Sequence, residues 1–273
     1  MIISAPQFNN VQNFTEAIHK KYGYNFADYS ADSFQRRLNS FMIRFAISDL
    51  AELEKKVLND DHFFNKFLEE ITVNVTEMFR DPEFFKTLRE EIIPQFAHHP
   101  LIRIWHAGCS TGEEVYSMAI LLKEAGFLDR SLLYATDINQ FVLEKAAARR
   151  FANDQIQQSE KNYRNAGGLN NLADYFTVDG KTILFHEEFR RRMVFSPHNL
   201  AADKSFNEFN LILCRNVLIY FNSGLQNRVI RLFADSLPAG GLLALGSKEG
   251  IDVTYFKDEF EALNRRRRIW KKK

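Results

Sequence analysis

The stretch that decides the fold runs from Trp105 to Glu114 and reads W-H-A-G-C-S-T-G-E-E. A short apolar run, Leu101 to Trp105, leads into it, and an apolar-periodic stretch, Val115 to Leu122, follows it. A strand, a glycine-bearing turn and a helix in this order form the first βα unit of a doubly wound sheet, in which ligands bind at the carboxyl ends of the strands. The stretch therefore predicts an α/β fold with a ligand site beside Gly108.

A second strand is predicted shortly afterwards, and it ends on an acid. The residues from Leu132 to Thr136 run directly into Asp137. A carboxylate at the tip of the second strand is where such folds hydrogen-bond the ribose hydroxyls of a nucleotide cofactor. On its own, the glycine turn is more readily explained as a tight connection. Together, the turn and Asp137 predict a site for an adenosine-containing cofactor.

The spacing of the glycines indicates which cofactor this is. A dinucleotide fingerprint requires G-x-G-x-x-G, and the chain contains no G-x-G at all. The turn instead reads G-C-S-T-G and is followed at once by Glu113 and Glu114. Two acids at a helix start would repel a pyrophosphate but suit a ligand that carries an ammonium and a sulfonium. This pattern predicts S-adenosylmethionine as the cofactor.

Composition sets broad limits on the protein class. The 273 residues suffice for one α/β domain and a smaller module, and the net charge is only +1. A nearly balanced charge gives no strong attraction to nucleic acid, so we expect no nucleic-acid partner. No apolar stretch approaches membrane-spanning length, so we expect no direct insertion into a membrane. The two cysteines form no C-x-x-C pattern, and the first residues lack the features of a signal peptide, so we expect a cytoplasmic protein. We also expect a monomer. No cluster has metal-ligand spacing, and we expect no metal.

The first seventy or so residues are predicted to form an all-helical domain. Apolar residues recur at helical spacing in four stripes, and glycine and proline are nearly absent. Asp32 and either Asp60 or Asp61 are the predicted N-caps. Arg36, Arg37 and Arg44 lie on the second predicted helix. A solvated polar face is the commoner meaning of such arginines, and a docking surface for an acidic protein partner is the alternative.

The predicted helical domain comprises residues 1–72. It is followed in the chain by one predicted methyltransferase-like α/β domain, residues 73–273. Three short β-rich runs between residues 175 and 197 predict a small antiparallel β insertion. The basic tail around Ile269 and Trp270 predicts an edge strand whose positive charges prevent it from pairing with other chains. Asp81 is the predicted N-cap of a helix that begins at Pro82.

Five motifs, in order, resemble the CheR family of chemotaxis receptor methyltransferases, which methylate glutamate side chains of receptor signalling helices. The resemblance covers nearly the whole chain. The motifs are N-V-T-E-M-F-R-D from Asn74, A-G-C-S-T-G-E-E-V-Y-S from Ala107, A-T-D-I from Ala135, Asn199-Leu200, and C-R-N-V-L-I-Y-F from Cys214.

The resemblance implies a Rossmann-like, class I S-adenosylmethionine methyltransferase that acts on the cytoplasmic signalling helices of methyl-accepting receptors and leaves S-adenosylhomocysteine as product. It also implies a role for individual residues. Arg80 and Tyr220 would lie nearest the methyl-transfer centre. The implied cofactor contacts are Asn74, Thr76, Arg80, Gly108, Glu114, Asp137, Asn199, Leu200, Asn216 and Val217.

Two hypotheses of different class follow from the sequence. The first is an active protein-glutamate O-methyltransferase, and the second is a signalling or scaffold module that binds S-adenosylmethionine without turnover. Arg80 and Tyr220 distinguish them, because a pure binder has no need of residues on the reaction side. Both are present, which favours the enzyme. The turn at Val178 to Lys181 is shorter and poorer in glycine than in family members that dock on a receptor tail, so we do not expect tight binding of a tail peptide.

Overall fold

The computed structural model of the protein describes residues 8–72, 76–252 and 254–273. The four predicted N-terminal helices are present, and the apolar stripes form their shared core, in which the rings of Phe14, Phe41 and Phe67 pack edge to face. The helices are α1 (Phe8–Tyr22), α2 (Ala31–Arg44), α3 (Leu50–Asn59) and α4 (Asp61–Ile71).

The N-caps of these helices are partly as predicted. Asp60 accepts hydrogen bonds from the backbone N–H groups of His62 and Phe63 and caps α4. Asp32 was the wrong residue for α2, because that helix begins one residue after Ser30 and Asp32 lies in its first turn. A carboxylate there still favours the helix through the macrodipole.

The second domain is built on a seven-stranded sheet with the order β6-β2-β1-β7-β8-β10-β9. The first five of these strands are parallel, and β10 and β9 are antiparallel to their neighbours. The strands, in chain order, are β1 (Ile102–Ala107), β2 (Ser131–Asp137), β3 (Arg150–Ala152), β4 (Phe176–Asp179), β5 (Thr182–Phe185), β6 (Met193–Pro197), β7 (Leu211–Cys214), β8 (Leu242–Leu245), β9 (Phe260–Asn264) and β10 (Ile269–Lys272).

Helices cover both faces of this sheet. The connection from β1 to β2 runs through a helix whose residues from Val115 to Leu122 are all buried, as the apolar run predicted. These helices are α5 (Pro82–Thr87), α6 (Glu113–Glu124), α7 (Gln140–Ala147), α8 (Ile156–Asn165), α9 (Glu187–Arg190) and α10 (Ser223–Asp235). Within the described ranges, none of the helices combines the length and apolar character that a membrane crossing requires.

The small antiparallel sheet differs from the predicted insertion at residues 175–197. Its order is β3-β5-β4, so that it takes one strand from residues 150–152. The third predicted run is instead β6, the parallel edge strand of the main sheet beside β2. β3 was missed because it has three residues and little burial, and its partner is thirty residues away. A run that short has no recognisable alternation.

The basic tail was also predicted in the wrong place. β10 lies between β8 and β9, and β9, which was not predicted, is the edge strand. Ile269 and Trp270 are buried, which agrees with an interior strand. Three basic residues beside them form ion pairs with acids: Arg267 with Glu83, Arg268 with Asp252, and Lys271 with Glu261 on β9.

The two domains share backbone hydrogen bonds. The N–H of Ser30 donates to the carbonyl oxygen of Tyr220 at 2.8 Å, and the N–H of Asn222 donates to that of Asp28 at 2.9 Å. Between them the rings of Tyr29 and Phe221 meet edge to face at 5.3 Å. The N-terminal domain is therefore joined to the segment that carries Tyr220.

Candidate active site

A cavity lies at the carboxyl ends of β1, β2 and β7. Its volume is about 1120 Å³, including the space at its opening to solvent. This is the position at which doubly wound sheets bind ligands. It is lined by ten of the residues singled out in the sequence: Thr76, Arg80, Gly108, Glu114, Asp137, Asn199, Leu200, Asn216, Val217 and Tyr220. Asn74 lies outside the described residues.

Asp137 is the last residue of β2 and is only 8% exposed. Its carboxylate accepts hydrogen bonds from the backbone N–H groups of Ser110, at 2.9 Å, and Asn139, at 3.0 Å. Burial raises the pKa of Asp137, although the backbone donors oppose that shift. Each carboxylate oxygen keeps acceptor capacity for a ligand, since the two oxygens together offer about four sites. Asp137 can therefore bind a diol while its bond to Ser110 fixes the turn that follows β1, residues 108–112, called here the β1 turn.

The backbone of the β1 turn lies directly against Val217 on the opposite side of the cavity. Gly108 has φ +77°, and a Cβ built on it would stand 2.5 Å from Cγ2 of Val217. Both features require glycine at this position. The N–H groups of Gly108 and Cys109 donate to the carbonyl of Thr136, which ties the turn to β2. The cavity wall at this point is therefore bare backbone.

Glu114 belongs to a buried charge network. Its carboxylate contacts Nδ1 of His106 at 2.9 Å and accepts a hydrogen bond from Nη1 of the Arg215 guanidinium at 3.1 Å. The same guanidinium donates to Asp81 at 2.5 Å and stacks over the Phe84 ring at 4.0 Å. Burial would raise the pKa of Glu114, but the His106 hydrogen bond and the Arg215 charge outweigh it and hold the pKa below its ordinary value. Glu114 is therefore ionised at neutral pH.

Arg80 lies on a segment with unusual backbone geometry. Its neighbours Phe79 and Asp81 both have positive φ, +52° and +58°. Two long-range contacts fix the segment: the N–H of Phe79 donates to Oγ of Ser117, and the amide of Asn162 donates to the carbonyl of Met78. Left-handed backbone at non-glycine residues persists only where surrounding contacts hold it. The fold therefore maintains Arg80 at the cavity wall.

Asp81 is the N-cap residue of α5, which begins at Pro82, as predicted. Its side chain, however, makes no capping hydrogen bond. Its carboxylate is instead paired with the buried Arg215. The buried Arg215 guanidinium needs opposite charge beside it, and this ion pair therefore determines the direction of the Asp81 side chain.

The three arginines of α2 do not share one environment. Arg37 donates to the carbonyl of Ile71 at 2.5 Å, and its guanidinium lies 4.0 Å from the centre of the Tyr220 ring. Arg36 is exposed, and Arg44 is exposed and paired with Glu70 at 2.5 Å. The structure thus places Arg37 against the ring of Tyr220, apart from the other two. Arg37 is half-buried, whereas Arg36 and Arg44 are exposed.

Several cavity residues were missed in the sequence. Tyr29 comes from the N-terminal domain, and His198 precedes the predicted Asn199. Arg215 stands inside the C-R-N-V-L-I-Y-F motif, but no role was assigned to it. Its position in that motif was the available signal. Tyr29 carried no signal, since an aromatic residue in a helical domain is normally explained by packing.

The chain resembles known methyltransferases over almost its full length. Residues 74–269 match the family model described as CheR methyltransferase, SAM binding domain, and residues 9–72 match that described as CheR methyltransferase, all-alpha domain. A Pseudomonas putida protein named Cher3, which its name describes as a methyltransferase, is 44% identical over 257 residues, or 94% of each chain. The chemotaxis protein methyltransferase of Listeria innocua is 30% identical over 87% of this chain and 88% of that protein. Chemotaxis protein methyltransferase 1 of Vibrio cholerae is 29% identical over 92% and 91%.

Proposed function

Because the chain belongs to the CheR methyltransferase family and is an S-adenosylmethionine-dependent methyltransferase, we propose that it methylates glutamate side-chain carboxylates of chemoreceptors in chemotaxis adaptation. One observation carries the proposal. Arg80 and Tyr220, on the reaction side, line the same cavity as Asp137 and Glu114, on the cofactor side. A module that only bound the cofactor would not need the first pair.

The residues of the cavity fit S-adenosylmethionine. Asp137 suits the ribose diol, and the ionised Glu114 suits a ligand with an ammonium group. Arg215 does not cancel the attraction of Glu114 for a cation, because its single guanidinium is paired with two carboxylates, those of Asp81 and Glu114. The three groups together carry a charge of −1. The bare backbone at Gly108 lets a ligand approach closely. We assign Asn74, Thr76, Asn199, Leu200, Asn216 and Val217 to the same ligand.

The proposed chemistry needs little from the protein beyond alignment. When bound, the cofactor supplies a methyl group on a positively charged sulfur. The acceptor carboxylate is already ionised at neutral pH, so no side chain has to remove a proton from it. Arg80 can orient that carboxylate through two parallel N–H donors, and its charge is permanent. Orientation of two reactants can contribute on the order of 7–11 kcal/mol to a rate enhancement.

We expect methyl-labelled S-adenosylmethionine, the protein and receptor-rich membranes to give base-labile label on receptor bands, because glutamate methyl esters hydrolyse in alkali. A matched reaction with the Asp137→Ala variant should give little label. Label that resists alkali would refute the carboxylate as acceptor. Cofactor binding with no label on any protein would favour the scaffold hypothesis.

We further propose that the exposed part of α2 docks the receptor. Arg36 and Arg44 lie about two turns apart, and the exposed apolar side chain of Ile43, 66% accessible, lies beside Arg44. Positive charge around an apolar residue suits an acidic, amphipathic helix. Arg37 is excluded from this surface by its contact with Tyr220.

Replacing Arg36 and Arg44 together with glutamate should raise the Michaelis constant for receptor and leave the affinity for S-adenosylhomocysteine unchanged. The receptor interaction of the unaltered protein should weaken with salt, since exposed charges are screened over about 8 Å at physiological ionic strength. Arg231 and Lys257, exposed residues outside the N-terminal bundle, serve as a matched double-glutamate control. Normal Michaelis constants in the α2 variant, with tight binding of a receptor tail peptide, would place recognition in the small β-sheet instead.

A further inference from the structure

A buried carboxylate outside every predicted motif supports the wall of the cavity. Glu249 follows β8 and is 5% exposed. One of its oxygens accepts from the N–H groups of Asn216, at 2.9 Å, and Gly246, at 2.6 Å. The other accepts from the N–H groups of Val217, at 2.8 Å, and Ile219, at 3.2 Å. One side chain therefore satisfies four backbone donors.

This arrangement requires a carboxylate. Four convergent N–H groups need about four acceptor sites, which an ionised carboxylate offers and an amide does not. Burial raises the pKa of Glu249, and the four backbone donors oppose that shift. The surrounding backbone is correspondingly constrained: a Cβ on Gly246 would stand 2.6 Å from the Glu249 carboxylate and 2.9 Å from the Asn216 nitrogen.

The segment that Glu249 holds is the one that faces the ligand. Asn216 has a left-handed φ of +62°. This backbone conformation is strained in a residue other than glycine, and it persists only where surrounding contacts hold it. Val217 packs against the bare backbone of Gly108, where even one added carbon would clash. Tyr220 follows in the same turn, Leu218–Tyr220, and its carbonyl is held from the other side by Ser30. Small displacements of residues 216–220 would therefore move both the cofactor-side residues Asn216 and Val217 and the reaction-side residue Tyr220.

We propose that Glu249 is a positioning residue for the methyl-transfer reaction: by accepting four N–H groups it sets the places of Asn216 and Val217 at the cofactor and of Tyr220 at the acceptor. It touches neither ligand itself and acts through the backbone. The part that concerns Tyr220 rests on the proposed methylation of carboxylates, whereas the part that concerns Asn216 and Val217 needs only cofactor binding.

The test is Glu249→Gln, which keeps the shape but turns an amide N–H₂ toward two N–H donors. We expect the dissociation constant of S-adenosylhomocysteine to rise at least about tenfold and the single-turnover rate with saturating receptor to fall on the order of 10²-fold, as for small misplacements of reacting groups. Both are measured below the onset of thermal unfolding, which circular dichroism monitors.

A matched control separates positioning from stability. Glu124 is also a buried carboxylate, 1% exposed in its side chain, which binds Tyr175 at 2.7 Å and Arg89 at 2.6 Å but does not line the cavity. Glu124→Gln should lower the melting temperature without changing the affinity or the rate. Gly246→Ala, which crowds the same carboxylate while its charge is kept, should act like Glu249→Gln.

The outcomes are distinct. Equal effects of Glu249→Gln and Glu124→Gln on affinity and rate would overturn the proposal, as would a folded Glu249→Gln variant with normal affinity and rate. If Glu249→Gln does not fold, Gly246→Ala decides in the same way. A loss of S-adenosylhomocysteine affinity that is specific to the Glu249 and Gly246 variants supports the proposal even if receptor methylation itself is refuted.

Discussion

Replacement of Arg80 by alanine is expected to lower the rate of methyl transfer by on the order of 10²- to 10³-fold, the range for removing one charge-stabilising group from an active site. The affinity for S-adenosylhomocysteine should fall much less. The reason is that Arg80 lies at the boundary between the cofactor cavity and a second groove, lined by Glu77, Gln155 and Gln158, through which an acceptor can approach. Single-turnover transfer to receptor and calorimetric titration of the product give the two quantities separately.

Two further variants test this assignment. Arg80→Lys keeps the charge but loses the planar pair of donors, so it should recover only part of the rate. Tyr220→Phe keeps the ring, on which Arg37 stacks, and removes the hydroxyl alone. It too should lower the rate more than the affinity. If either residue's removal lowered affinity and rate in equal proportion, that residue would belong to cofactor binding.

Replacement of Asp137 by alanine should weaken binding of S-adenosylhomocysteine by about 2–4 kcal/mol, the range for losing charge-assisted hydrogen bonds in a largely buried site. That corresponds to a dissociation constant roughly 30- to 1000-fold higher. The carboxylate also holds the N–H groups of Ser110 and Asn139, so part of the loss would come from a looser β1 turn.

Asp137→Asn separates these contributions, because it keeps the packing and one acceptor oxygen; we expect an intermediate dissociation constant. Asp179, exposed on the β4–β5 hairpin, gives a matched aspartate-to-alanine control with unchanged affinity. An unchanged dissociation constant for Asp137→Ala would refute the assignment of Asp137 to the ribose.

Local features of the sequence determined the βα turn and the helical domain. The glycines at positions 108 and 112 have the positive φ that the turn needs, and Glu113 begins the helix. The four apolar stripes became four helices, because helical periodicity is repeated within each segment and needs no distant partner. The five ordered motifs likewise identified the family, and the residues they carry lie around one cavity where the structure describes them.

What only the tertiary structure decided depends on residues far apart in the chain. β3 pairs with a strand thirty residues later, and the third run of the predicted insertion joins the main sheet because β2 is its neighbour in space. Asp81 pairs with Arg215 and does not cap its own helix, and Arg37 stacks on the ring of Tyr220. Both contacts depend on partners that only the fold brings close.

Glu249 is the clearest example. In the sequence it is one acid in a loop, and no spacing marks it. Its four donors come from residues 216, 217, 219 and 246, which meet only when β7 and β8 lie side by side in the sheet. The sequence by itself determined the family and indicated the candidate site residues, because motifs are local. The tertiary structure decided what holds them in place, because burial and convergent hydrogen bonds arise only when distant segments pack together.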